Sequence, residues 1–124
     1  MADEIGKGLT AAEILAVDDM AHELVVVPEW GGAAVYVRTM TGLERDGFEY
    51  LVQSQQEGSG KFNTRGLKVE LLILTVYDKA RQLIFTAEDR DALSAKSAGA
   101  IERLFQVAQR LNGLSPKDIE ELGG

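Results

Sequence analysis

The sequence predicts an α+β domain, mainly α-helical, in which an N-terminal β-hairpin packs on a bundle of about five helices. Three observations favour this class. Two runs rich in β-branched residues flank a Pro-Glu-Trp-Gly-Gly segment, helix-start signals recur along the chain, and one long C-terminal stretch has apolar residues at helical spacing. The length of 124 residues predicts a single domain, residues 1–124.

The N-terminal segment predicts disorder followed by a short helix. Residues 1–8 have no periodic pattern, and we expect them to be disordered. Thr10 and Glu13 have the spacing of a capping box, in which each side chain bonds the other residue's backbone N–H. We therefore predict a helix that begins after Thr10 and ends at about Val17.

The hairpin is predicted from two branched runs, residues 23–27 and 33–38. Pro28 cannot donate a hydrogen bond to a strand ladder, and Gly31 and Gly32 adopt positive φ at little cost. These residues therefore predict the tip of a hairpin with a slightly long connection. An isolated pair of strands is only marginally stable in water, so we expect the hairpin to pack on helices.

The middle of the chain predicts two helices. Thr41 and Glu44 form a second capping box, and the helix that they start should end near Gln55, before a flexible loop over residues 56–64. Residues 67–77 are almost entirely apolar and contain both strand formers and helix formers. Because eleven residues is long for a strand, we predict a buried helix there. The apolar stripe of the first helix comprises Leu43, Phe48, Leu51 and Val52.

The C-terminal part predicts a polar turn at residues 78–82, a short extended piece at 83–85, and a short helix that begins at Thr86. Ser94 is predicted to cap the longest helix, which should end near Asn112. Gly113 should stop this helix in the left-handed conformation, and a final helix should begin at residues 115–116. The stripe of the longest helix comprises Ile101, Leu104, Phe105, Ala108 and Leu111.

The charge and composition exclude several partners. Twenty acidic and thirteen basic residues give a net charge of −7, which repels a phosphate backbone, so we expect no nucleic-acid partner. No apolar run approaches the roughly 20 residues of a membrane span, and the start lacks a targeting pattern, so we expect no membrane partner and a cytoplasmic location. The absence of cysteine excludes thiolate chemistry.

No residue pattern predicts catalysis. The single histidine, His22, cannot build a histidine-rich zinc site and is expected to be structural or solvated. The carboxylates lie near predicted helix ends, where capping explains them. The Gly58-Ser-Gly-Lys61 segment lacks the spacing of a phosphate-binding loop. We therefore predict a protein that is not an enzyme, with no catalytic, metal-binding or cofactor-binding residues and no cofactor.

Two features suit protein binding. Trp30 at the hairpin tip has little local cover and is either a staple folded onto a helix or an anchor for a partner. The segment 67–76 is either the central core helix or partly a subunit interface. The predicted partner-binding residues are Trp30, Gly31, Gly32, Tyr36, Leu72 and Val76.

Four stretches of the chain, in this order and spacing, resemble the tail assembly chaperones of siphophages. They are Val27-Pro-Glu-Trp-Gly-Gly32, Thr41-Gly-Leu-Glu-Arg-Asp46, Leu93-Ser-Ala-Lys-Ser-Ala98 and Arg103-Leu-Phe-Gln-Val-Ala-Gln-Arg-Leu-Asn-Gly-Leu114. The likeness extends over about residues 9–122 and is to the short, non-frameshifted form of these proteins.

This resemblance implies a chaperone that binds the tape-measure protein and helps to recruit tail-tube subunits while the tail is built. It also implies self-association, action in the host bacterial cytoplasm and absence from the mature virion. The family has no catalytic residues to transfer to this chain. The alternative is a structural virion component, such as a tail-tube or neck adaptor.

Overall fold

The computed structural model describes residues 8–59 and 66–114. These residues form five α-helices, a three-stranded antiparallel sheet and two 3-10 turns, at Pro28–Trp30 and Ala87–Asp89. The predicted class, a mainly helical α+β fold with an N-terminal hairpin packed on helices, is confirmed. In chain order the elements are α1 Ala11–Ala16, β1 His22–Val27, β2 Ala33–Arg38, α2 Gly42–Ser59, α3 Leu67–Thr75, β3 Val76–Tyr77, α4 Arg90–Ser94 and α5 Ala98–Leu111.

The sheet has the order β1-β2-β3 and packs one face on α3 and α5. In the hairpin, Val25 lies opposite Val35 and Leu24 opposite Tyr36. Because successive side chains of a strand point to opposite faces, alternate residues of each strand face the helices. The buried residues of the inner face are Val25, Val27, Val37 and Val76.

Helix α3 is the central helix of the core. It buries six of its nine residues, Leu67, Val69, Leu71, Leu72, Ile73 and Thr75. The Thr75 hydroxyl donates to the Leu71 carbonyl at 2.7 Å, which satisfies the buried polar group. Of the two interpretations of segment 67–76, a central core helix or partly a subunit interface, this burial favours the core helix. The predicted stripe of α5 also faces the core, where Ile101, Leu104, Phe105 and Ala108 are buried.

Both predicted capping boxes are present. The Thr10 hydroxyl accepts from Glu13 N–H at 3.2 Å and the Glu13 carboxylate accepts from Thr10 N–H at 3.0 Å. In the second box, Glu44 N–H donates to the Thr41 hydroxyl at 3.1 Å and Thr41 N–H donates to the Glu44 carboxylate at 2.9 Å. Gly113 stops α5 with φ +65°, as predicted.

Helix α2 is longer than predicted. It ends at Ser59 rather than near Gln55, because the glutamine and glutamate residues at 55–57 favour a helix and one internal glycine costs only about 1 kcal/mol. The predicted loop 56–64 is therefore helical over 56–59, and its remainder, residues 60–64, falls outside the described residues. Leu43, placed on the apolar stripe, is 83% exposed because it lies in the first turn, beyond the core.

Residues 76–77 are a strand and not the end of the preceding helix. Tyr36 lies opposite Tyr77 and Val37 opposite Val76, so pairing with β2 supplies hydrogen bonds that a further helical turn would have supplied. Leu83 continues the sheet as a single bridge to Tyr77. The prediction of helix at these two residues was wrong because β-branched Val76 meets a free strand edge.

The cap of the longest helix was also predicted at the wrong serine. Ser94 is the last residue of α4, and its hydroxyl donates to the Arg90 carbonyl at 2.8 Å. Ser97 caps α5 instead, accepting from Ala100 N–H at 3.2 Å. The predicted disordered segment 1–8, except for Gly8, and the predicted helix from residue 115 fall outside the described residues.

Candidate functional site

The hairpin tip places Trp30 beside the core. The 3-10 turn at 28–30 is followed by Gly31 and Gly32, whose φ angles are +71° and +79°. The Gly32 N–H donates to the Val27 carbonyl at 3.1 Å, which closes the tip. Only glycine adopts two successive left-handed angles without strain, so these residues set the direction of the turn. Trp30 is half-buried and packs against the core cluster.

A cavity of about 630 Å³ opens beside this tryptophan, and we call it the hairpin-tip cavity. Its apolar wall combines the tip with the segment after β3 and with α4. Leu93, 3% exposed, lies at its buried side, and Ile84, 39% exposed, lies at its surface. The volume lies in the range of protein sites that hold an apolar group. The lining residues are Glu29, Trp30, Ile84, Phe85, Asp89, Ala92, Leu93 and Lys96.

The charged rim of the cavity is mostly paired. The Glu29 carboxylate accepts from Arg103 Nε at 3.2 Å and from Arg103 Nη2 at 3.1 Å. These hydrogen bonds lower the pKa of Glu29 below its ordinary value and raise that of Arg103. Asp89 accepts from Thr86 N–H at 2.8 Å. Lys96 forms no ion pair with another described side chain, so it is the rim charge available to a ligand.

The hydrogen bonds between Glu29 and Arg103 of α5 depend on a small residue at position 99 of that helix. A Cβ atom added at Gly99 would lie 3.0 Å from Glu29 Oε2. A side chain there would displace the carboxylate and loosen its contact with Arg103. Gly99 therefore allows the tip to approach α5 closely.

The outer face of the sheet is exposed along β1 and at the bridge, whereas Tyr77 of β3 is buried. One row of partners crosses all three strands and the bridge, and it comprises Leu24, Tyr36, Tyr77 and Leu83. Leu24 is 54% exposed and Leu83 is 43% exposed, while Tyr36 is half-buried. Val26 extends the apolar surface along β1 and is 55% exposed.

Helix α1 is a further apolar surface. None of its residues is buried, and Glu13 is the one polar residue among the six. Four large apolar side chains are exposed in and beside this helix, namely Leu9, Ile14, Leu15 and Val17. A helix of six residues is not stable alone in water, so an apolar face of this kind suits contact with another molecule.

The structure separates the six predicted partner-binding residues into three places. Trp30, Gly31 and Gly32 lie together at the tip, and Tyr36 lies on the outer face of the sheet. Leu72 and Val76 are 0% exposed, so neither can touch a partner while the fold is intact. Ile84 and Phe85 line the cavity and were missed. Their signal was a short apolar run between two polar turns.

The described residues were also searched for membrane-spanning helices and for metal sites. Within residues 8–59 and 66–114, no helix combines the length and apolar content that crossing a membrane requires. The same two stretches contain no group of three or more histidine, aspartate or glutamate side chains placed to share a metal ion.

Comparison with known proteins identifies the class. The sequence profile of the phage tail assembly chaperones matches residues 13–122, which is most of the chain. Among solved structures, the tail assembly chaperone of bacteriophage HK97 has a similar fold, with a TM-score of 0.59 and 20% sequence identity. The similarity covers 92% of this chain and 95% of that one. A search of curated protein sequences found no match.

Because the family profile spans nearly all of its length, this chain belongs to the phage tail assembly chaperone family. The resemblance of the four sequence stretches to that family is thereby confirmed. The likeness to the HK97 protein concerns the fold, since the two sequences are only 20% identical.

Proposed function

We propose that this chaperone binds apolar helical stripes of the tape-measure protein in the hairpin-tip cavity and helps to recruit tail-tube subunits. The observation that carries the proposal is the cavity itself. It is open, mainly apolar, and has a half-buried tryptophan in its wall. Aromatic side chains in such positions are favoured anchors for a partner.

The chemistry of the cavity suits an amphipathic helix. An apolar side chain of the partner would enter between Trp30 and Leu93, as in other helix-in-groove contacts. An acidic residue beside that side chain would meet Lys96. A long helical protein with uncovered apolar stripes aggregates in water, and covering the stripes prevents this. The net charge of −7 keeps the resulting complexes dispersed.

The openness of the hairpin-tip cavity also suits release of the tape-measure protein. Because the cavity is open to solvent, we expect each contact to be modest, so that a tube subunit that binds the same stripe can displace it. Several weakly bound copies hold a long partner through avidity while each exchanges quickly. We propose that α1 supports this arrangement by self-association, through Ile14, Leu15 and their exposed neighbours.

The proposed role is binding and not catalysis, in the host bacterial cytoplasm, and the chaperone leaves before the virion is complete. Mass spectrometry of purified particles distinguishes it from a structural adaptor of the tail tube or neck. We expect the chain to be missing from particles, whereas an adaptor would be present in stoichiometric amount.

Co-expression with the tape-measure protein of the same genome tests the binding directly. We expect the tape-measure protein to become more soluble and to co-purify with the chaperone at low salt. Trp30→Ala should abolish most of this gain, while Tyr50→Ala should not, since Tyr50 is 74% exposed on α2 and does not line the cavity. Equal loss with both variants, or no gain with the wild type, would count against the proposed site.

A further inference from the structure

A second cavity lies where the turn after β3 meets the outer face of the sheet. It has a volume of about 280 Å³, and we call it the turn cavity. In contrast to the hairpin-tip cavity, its wall is polar and aromatic. The lining residues are His22, Tyr36, Tyr77, Asp78, Lys79 and Arg81.

The hydroxyl of Tyr77 lacks a hydrogen bond in this wall. The side chain is 3% exposed, and its hydroxyl has no hydrogen-bond partner among the residues that the structure describes. A buried polar group without a partner costs about 1–3 kcal/mol. Tyr36 stacks on the ring at 5.9 Å between centroids, and His22 meets it edge-on at 5.5 Å. A ligand reaches this hydroxyl only if the rings packed around it shift, and His22, which is exposed, has room to do so.

Arg81 is held in a conformation that suits glycine. Its φ is +65°, and no other non-glycine residue among the described residues has a positive φ. The Arg81 N–H donates to the Asp78 carbonyl at 3.0 Å and the Asp78 N–H donates to the Gln82 carbonyl at 2.9 Å. This is a three-residue hairpin loop whose last position is left-handed. In this conformation an arginine costs roughly 1–2 kcal/mol of stability relative to glycine. The turn itself therefore does not explain the arginine, and we look for a role of its side chain elsewhere.

The acidic groups near the cavity are already engaged. Asp78 accepts from the N–H groups of Ala80 and Gln82, at 2.9 and 3.1 Å. Asp18 accepts from Arg81 Nη1 at 3.4 Å, a long and exposed contact. Lys79 forms no ion pair with a described side chain. The lining therefore carries two cations, Lys79 and Arg81, against one carboxylate, Asp78, and the Tyr77 hydroxyl and the Lys79 ammonium have no partner among the described side chains.

We propose that the turn cavity binds a carboxylate group of a partner protein. One carboxylate oxygen would accept from the Tyr77 hydroxyl, and the other would lie between Lys79 and Arg81. The apolar row beside the cavity, with Leu24 and Leu83 exposed, would hold the neighbouring side chains of the same segment. This site is independent of the hairpin-tip cavity and of the tape-measure partner.

Amide chemical shifts of the labelled full chain test the proposal. Sodium acetate is the minimal probe, and sodium chloride and phosphate at matched ionic strength are the comparison. We expect acetate to shift the amides of Lys79, Ala80 and Arg81 in a saturable way in the millimolar range. Equal shifts with chloride or phosphate would overturn the assignment to carboxylates, as would the absence of a saturable shift.

Three variants locate the interaction. Tyr77→Phe removes only the hydroxyl and should weaken acetate binding about fivefold. Arg81→Gly should weaken it further while raising the unfolding temperature, since the backbone strain is relieved. Asp18→Asn should strengthen binding, because it frees Arg81 from its long contact. If Tyr77→Phe and Arg81→Gly both bind acetate as the wild type does, the proposal is wrong.

A matched charge control and two peptide pairs complete the experiment. Lys68→Gln also removes one positive charge, but Lys68 lies on α3 away from this cavity, and we expect unchanged binding. The two sources of a carboxylate are compared with apolar peptides that end in a free acid or an amide, and with peptides that carry internal glutamate or glutamine. Stronger binding of the free acid would identify a chain terminus, and stronger binding of glutamate would identify a side chain. Equal binding within both pairs would refute the proposal.

Discussion

Replacing Trp30 with alanine separates the two roles that its position allows. Truncating a fully buried tryptophan costs about 3–5 kcal/mol. Trp30 is only half-buried and has an open cavity on one side, so we expect roughly 1–2 kcal/mol. At about 3–4 °C for each kcal/mol in a chain of this size, the unfolding temperature should fall by about 3–8 °C.

The effect on partner binding should be larger. An aromatic anchor at the centre of a contact contributes about 2 kcal/mol or more, which corresponds to a loss of at least about 30-fold in affinity. Thermal unfolding measured by circular dichroism gives the stability change. Fluorescence anisotropy of a labelled tape-measure segment gives the Kd for the wild type and the variant.

Leu72→Ala is the control that shows how stability and affinity change when a purely structural residue is truncated. Leu72 is 0% exposed in α3, so its truncation should cost about 2–5 kcal/mol and should leave the affinity of the folded fraction unchanged. If Trp30→Ala destabilises the chain as much as Leu72→Ala does and binds the segment normally, Trp30 is a staple and the anchor assignment is refuted.

Further predictions concern stability, acid sensitivity and fluorescence. Asn112→Ala should lower stability by about 2 kcal/mol in urea unfolding, because its side chain bonds three backbone groups at 2.7–3.3 Å; a smaller loss would mean that water replaces these bonds. Gly32→Ala should cost about 1 kcal/mol in the same assay, since φ is +79° and no atom lies within 4 Å of the added Cβ. The folded-state pKa of Glu29 lies below its ordinary 4.5, so its contribution is present above that value and is lost as the pH falls through the lowered pKa. Urea midpoints should therefore drop less on acidification in Arg103→Gln than in the wild type, and equal drops would exclude this pair as a cause. Trp30 is the single tryptophan, so its emission should shift to the blue when a tape-measure segment enters the cavity, and unchanged emission on binding would place the segment elsewhere.

Short-range signals in the sequence were sufficient for the elements whose causes are local. The capping boxes at Thr10 and Thr41 were predicted correctly because both partners lie three residues apart on one chain. The stripe of α5 was predicted because helical spacing alone brings its apolar residues to one face. The positive φ angles at Gly31 and Gly32 followed from the need to reverse a hairpin.

The candidate site was predictable only in part. Trp30 could be placed at the tip from its neighbours, but the wall opposite it comes from residues more than fifty positions away. Leu72 and Val76 were assigned to a surface because apolar content does not reveal which side of a helix is covered. The unpartnered hydroxyl of Tyr77 carries no sequence signal, since hydrogen bonding there depends on every element packed around the ring.

The sequence by itself determined the fold class, the hairpin, the helix starts and the apolar stripe of α5, because these depend on backbone preferences and on side chains within one or two turns. Only the tertiary structure decided that residues 76–77 form a strand, that Ser97 caps α5, and that Trp30 lies beside a cavity. The strand and the cavity depend on groups distant in sequence that compete for the same hydrogen bonds or the same buried space, whereas the choice of Ser97 over Ser94 follows from where the preceding helix α4 ends.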